Sequence, residues 1–135
     1  MRMEDIRRVL SVGFHATMGY DVIQDTNGRW MVTLDVSERH LNQYGVAHGG
    51  VALTVMDAAG GMALYAKRDD IQRMATISMS QNFLSSAKPG IILGIGEVER
   101  MGKAVGYSSM RLYQDEIGGE LIATAQGAYR LFIKE

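Results

Sequence analysis

Between His48 and Ala66 the chain reads HGGVALTVMDAAGGMALYA, a stretch in which Val51, Ala52, Leu53, Val55, Met56, Ala58, Ala59, Met62, Ala63 and Leu64 leave almost no polar face. A helix that is apolar nearly all round must be covered on most of its sides. The stretch has about the ~20 residues that a bilayer would need, but its interior holds Asp57 and four glycines. A carboxylate inside a membrane is costly without a partner. The segment therefore reads as a buried helix in a folded protein, and no membrane association is expected.

The cover must come from strands, because the sequence on both sides of the helix has a period of two. In YDVIQDTNGRWMVTLDVS two strands flank an Asn27-Gly28 turn, and Trp30, Val32, Leu34 and Val36 alternate with Met31, Thr33 and Asp35. After the helix, MATISMSQNFL sets Thr76, Ser78, Ser80 and Asn82 against Ile77, Met79 and Phe83. IILGIGEVE, AVGYSSMRLYQ and LIATAQGAYRLFI follow, separated by Pro89-Gly90, Met101-Gly102 and Gly118-Gly119. At the N-terminus, Ile6, Val9 and Leu10 lie on helical spacing with Arg7 and Arg8 between them, which predicts a short amphipathic surface helix ending near Gly13. The expected architecture is an α+β domain spanning 1-135, with one antiparallel sheet of about five or six strands curled around a long central helix.

Composition narrows the function classes. Fourteen basic and fifteen acidic residues give a formal net charge of −1 with no run of like charge, so neither a nucleic-acid footprint nor a polybasic patch is expected. The chain has no cysteine, which removes disulfides, thiolate metal sites and cysteine nucleophiles. With no export signal in MRMEDIRRVLSVGF, a cytoplasmic location is expected. The three histidines, His15, His40 and His48, form no cluster at metal-ligand spacing, so no metal is expected. There is also no Gly-x-Ser-x-Gly nucleophile elbow.

The chemistry concentrates in NQYGVAHGGVALTVMD, residues 42–57. Asp57 is the only carboxylate between His48 and Lys67, and a charge among apolar residues needs either a structural partner or a function. Gly49 and Gly50 stand where the loop becomes the helix; the first N–H groups of a helix have no internal acceptor and can stabilise an oxyanion. Eight residues at 1.5 Å each separate Gly49 from Asp57 by roughly 12 Å along the axis. If both serve one reaction, two copies of the helix must run antiparallel, which requires a two-fold dimer with its sites at the interface.

The pattern Asn42, Gly45, His48, Gly49, Gly50, Asp57 resembles the signature of the hotdog-fold acyl-CoA thioesterases, in particular the PaaI type of phenylacetate degradation. QNFLSSAKPG, VERMGKAV and GELIATAQGAY are similar to that family's strand ends and turns, in the same order, so that the likeness covers roughly residues 10 to 133. The resemblance implies a hotdog fold and hydrolysis of an aryl-acetyl or medium-chain acyl-CoA without a separate cofactor, coenzyme A entering as part of the substrate. It also implies that Gly49 supplies the oxyanion-hole N–H and that Asp57 of the opposite subunit acts as nucleophile or general base. Asn42 would position the carboxylate or the water, and Thr76, or Ser78 on the same face, would assist. His48 would shape the loop or act directly. Dimers of this family commonly pair into homotetramers.

Lys88, Arg100 and Lys103, in turns beside the late strands, are candidates to hold the CoA phosphates. Gly50 would border the bound thioester, and Gly60 and Gly61 would leave room for the acyl group. Two other readings compete: a non-catalytic acyl-CoA binder of the same fold, and a hydratase or dehydratase of acyl thioesters using a catalytic histidine.

Overall fold

The computed structural model describes residues 3–135. Met1 and Arg2, the start of the stretch read for an export signal, lie outside the described residues. Two short helices, α1 (Met3–Leu10) and α2 (Gly13–Met18), precede β1 (Asp21–Gln24) and β2 (Trp30–Val36). The long helix α3 (Gly49–Tyr65) is followed by β3 (Ile71–Phe83), β4 (Gly90–Met101), β5 (Val105–Gln114) and β6 (Leu121–Ile133). The six strands form one sheet in the order β1-β2-β4-β5-β6-β3, with every neighbouring pair antiparallel. This is the hotdog arrangement expected from the sequence. Among the described residues no helix is long and apolar enough to cross a membrane.

Alternation along the strands builds the core. Val22, Val32, Leu34, Ile92, Met110, Leu112 and Ile122 are almost fully buried on the face that meets Val55, Met56 and Leu64 of α3. Glycines let the helix approach the sheet closely. A Cβ at Gly96 of β4 would lie 2.5 Å from the Ala59 carbonyl oxygen, and one at Gly106 of β5 would lie 2.6 Å from Leu64 Cδ2. At Gly96 the backbone of α3, and at Gly106 the Leu64 side chain, occupies the space that a strand side chain would fill.

Four local features depart from the sequence reading. α1 stops at Leu10 and a separate helix, α2, begins at Gly13, whose φ of +60° lets the chain restart in a new direction. Six residues are too few to show a periodic pattern, and in α2 only Met18 is buried. The first hairpin turns through Asp25–Arg29 rather than through two residues. The Asp25 carboxylate accepts the N–H groups of Asn27 and Arg29 at 2.9 and 2.8 Å, and Gly28 adopts φ +80°.

Next, β3 carries a bulge at Ile77, because Thr76 pairs with Tyr129 and Ser78 with Ala128. One extra residue reverses the face of everything beyond it, so Thr76 and Ser78 do not share a face as simple alternation implied. Finally, the sheet covers only one side of α3. Leu53, Thr54, Asp57 and Ala58 are half-buried and line an open cavity.

Candidate active site

The cavity has a volume of about 780 Å³ and lies between α3, β3 and the two N-terminal helices. Its walls are mostly apolar, with Ile6, Leu10 and Phe14 on one side and Met62, Met74 and Met79 among the others. Among the described residues Asp57 is the only carboxylate on its surface. The Thr76 hydroxyl donates to Asp57 Oδ1 at 2.7 Å, so one oxygen of the carboxylate is held by β3 and the other is left for a further partner. The bulge at Ile77 decides which later residues join it: Thr76 shares the cavity wall with Met79 and Gln81, while Ser78 and Ser80 border a separate surface hollow.

Tyr129, which sequence reasoning missed, approaches the same residue from β6. Its hydroxyl donates to the Asp57 backbone carbonyl at 2.9 Å. The hydroxyl lies where a Cβ on Gly60 would collide with it, so Gly60 makes room for Tyr129 and not for a substrate. Gly60 is pinned further by the Ser108 hydroxyl, which donates to its carbonyl at 3.0 Å. Gly61, by contrast, does line the cavity as expected. Alternation in AQGAYRLFI, with Ala125, Tyr129 and Leu131 buried, was the available signal, since a buried tyrosine hydroxyl needs a partner. Burial first, then the charge of Asp57 and a hydrogen bond to that residue, push the Tyr129 phenol well above its ordinary range, which keeps it a donor.

Tyr20 and His15 also line the cavity, and their phenol and Nδ1 are hydrogen-bonded with the rings edge to face. Burial, and next to it the Asp57 charge, push the Tyr20 phenol from 10.0 up to about 12. Above pH 10 the unfolded chain loses this proton before the folded one does, so the folded state binds more protons and stability falls as pH rises. The loss should run from about pH 10 to about 12 at roughly 1.4 kcal/mol per unit. In denaturant titrations on either side of that window, Tyr20→Phe should lose measurably less stability than the parent. An equal loss in both would show that Tyr20 does not carry the effect.

The loop before α3 is built by the motif residues. The Asn42 side-chain oxygen accepts the N–H groups of Tyr44 at 2.9 Å and Val46 at 3.4 Å, and Gly45 takes φ +79° to close the turn. Asn42 thus organises the loop within its own chain and is not brought to its own Asp57. His40 locks the loop's base: its Nε2 meets the Met18 carbonyl oxygen at 2.8 Å and its own carbonyl accepts the His48 N–H at 2.9 Å.

His48 is the N-cap of α3; its Nδ1 accepts the Gly50 N–H at 2.9 Å and its carbonyl accepts that of Val51 at 2.9 Å. Gly50 is therefore already engaged, and the Gly49 N–H is left without an acceptor among the described residues. That donor stands at the positive end of a 17-residue helix and does not line the cavity that holds its own Asp57.

Lys88, Arg100 and Lys103 are all exposed, and none of them lines the Asp57 cavity of the same chain. Arg100 and Lys103 stand together at the β4–β5 turn. Among the described residues the arginine on the cavity wall is Arg73, whose guanidinium lies 3.8 Å from the centre of the Phe132 ring. Among the described residues there is no group of three or more His, Asp or Glu side chains that could hold a metal ion.

The family model of the thioesterase superfamily matches residues 44–121, more than half of the chain and all of α3 through β5. The chain belongs to the thioesterase superfamily. A provisionally named esterase of Pseudomonas aeruginosa is 32% identical over 109 residues, covering 80% of this chain and 79% of that protein. Acyl-coenzyme A thioesterase 13 of Mus musculus is 26% identical over 128 residues, with 89% of each chain covered. A crystal structure of a Bacillus halodurans protein with CoA superposes with a TM-score of 0.82 at 18% identity, covering 98% of this chain and 90% of that one. At that identity the last comparison speaks for the fold.

Proposed function

We propose that the protein is an acyl-CoA thioesterase that hydrolyses an aryl-acetyl or medium-chain acyl-CoA to the free acid and CoA. The observation that carries this reading is Asp57, held by Thr76 in an apolar cavity on a helix whose first N–H, at Gly49, has no acceptor among the described residues. The thioester carbonyl accepts the Gly49 N–H, which stabilises the oxyanion as a new C–O bond forms. Asp57 either takes the proton from the attacking water or attacks the carbonyl itself, forming an anhydride that water then opens. In both routes the C–S bond breaks and CoA leaves as a thiolate that takes up a proton. The cavity's Phe14, Tyr20 and Tyr65 and its methionines suit an aromatic or extended acyl group. The engagement of His48 Nδ1 with Gly50 favours hydrolysis by a carboxylate over hydration by a catalytic histidine.

The reading requires two chains. β3 is an edge strand of 13 residues with its outer ladder unpaired and Ile77, Phe83 and Leu84 exposed, a surface suited to pairing with a second copy. The site of a Cβ on Gly49 lies 3.5 Å from Phe83 Cζ, whereas Asp57 lies against Thr76, so α3 runs opposite to β3. An antiparallel pairing of two β3 strands about a two-fold axis between Met79 and Ser80 sets Thr76 across from the partner's Phe83. Asp57 then faces the N-terminus of the partner's α3, completing two equivalent sites. Two such dimers form the proposed homotetramer, with Lys88, Arg100 and Lys103 as the proposed contacts to CoA phosphates. Thiol release from a panel of aryl-acetyl, short-chain and medium-chain acyl-CoAs tests the activity. Turnover of one of the two proposed classes with the highest kcat/KM is expected, and no release from any member of the panel would overturn it.

A further inference from the structure

Thr76 and Tyr129 are cross-strand partners in the β3–β6 ladder, at the last register position before the Ile77 bulge. Both reach Asp57, Thr76 at the carboxylate and Tyr129 at the backbone carbonyl of the same residue. Directly opposed residues of an antiparallel pair point to the same face, so the register itself brings both side chains to α3, and the bulge turns Ser78 away immediately afterwards. The Tyr129 ring is almost fully buried, and Gly60 and Gly127 both leave space for it. In a helix the Asp57 carbonyl already has an acceptor role toward the N–H four residues on. The Tyr129 bond is therefore a second one to that carbonyl; it satisfies the buried phenol and tethers α3 to the sheet at the residue that bears the carboxylate.

We infer that Tyr129 is a positioning residue for Asp57: with Thr76 it forms a two-point clamp that fixes the carboxylate's height and orientation over the cavity. The inference rests on the proposed hydrolysis for its kinetic readout. It follows that the hydroxyl alone matters, since the ring packs in either case. An unclamped carboxylate samples orientations away from the reacting carbon, and misplacement of a reacting group lowers turnover without weakening binding.

The test compares the full-length protein with Tyr129→Phe, Thr76→Val and the double variant. Tyr129→Phe is expected to lower kcat about 10-fold with KM within about twofold, and the double variant should lose less than the product of the two single losses. Amide hydrogen exchange of Gly61, the helical donor to the Asp57 carbonyl, should quicken in Tyr129→Phe while the start of α3 keeps its protection. A kcat equal to that of the parent, or a change confined to KM, would overturn the clamp. If the parent hydrolyses no thioester, the hydrolase reading fails instead, and unchanged Gly61 exchange in Tyr129→Phe would then overturn the clamp independently.

Discussion

Asp57→Asn is expected to fold, to keep KM near that of the parent and to lose about three orders of magnitude in kcat. The amide is isosteric with the carboxylate, so the Thr76 hydroxyl can still donate to its oxygen and the cavity walls are unchanged. Only the negative charge and the basic or nucleophilic oxygen are lost. Because Asp57 is half-buried and has this one side-chain partner, removing its charge leaves no buried cation unpaired, and stability should change little. Steady-state thiol release together with a thermal melt separates the two effects. A variant with the parent's kcat would mean that the carboxylate is structural.

Gly49→Pro is expected to cost about 10²- to 10³-fold in kcat, the usual loss when one oxyanion donor is removed. Proline suits this site for reasons of backbone geometry. Gly49 is the first residue of α3, where proline's fixed φ fits the helix and its missing N–H breaks no internal bond. His48 sits at φ −57° and ψ 142°, an extended conformation that the residue before a proline prefers. A Cβ there would lie 3.5 Å from Phe83, an ordinary contact. The substitution thus deletes one N–H and little else, and a parent-like kcat would remove Gly49 from the reaction.

The helix and the sheet were legible in the sequence because both signals are strong and long: an apolar run with no polar side, and strands alternating between glycine-rich turns. As candidates, Asp57 and Gly49 stand out for a similar reason, since a lone charge in an apolar segment and glycines at a helix start are chemically conspicuous. What escaped depends on register and on tertiary contact. The Ile77 bulge inserts one residue that no alternation pattern announces, yet it turns Ser78 away from the face on which Thr76 meets Asp57. Tyr129 reads as one more inward strand residue until the sheet places it beneath α3, opposite Gly60.

The apolar girth of α3 predicts cover on most sides, whereas the structure leaves the Asp57 side open to a cavity. Lys88, Arg100 and Lys103 stand out in the sequence by their place in turns, whereas Arg73 sits inside a strand and comes to the cavity wall only through the fold.

The central claim is that each site takes Asp57 from one chain and Gly49 from another. Complementation between Asp57→Asn and Gly49→Pro measures this directly. Each variant alone should be nearly inactive. In a heterodimer with shared sites, one site receives both substitutions and the other receives neither. Refolding the two variants together in equal amounts gives heterodimers in about half of the molecules, each with one intact site, so activity should return to about a quarter of the parent's. Activity in the mixture no higher than the sum of the separate variants would contradict the account, because sites built within single chains gain nothing from exchange.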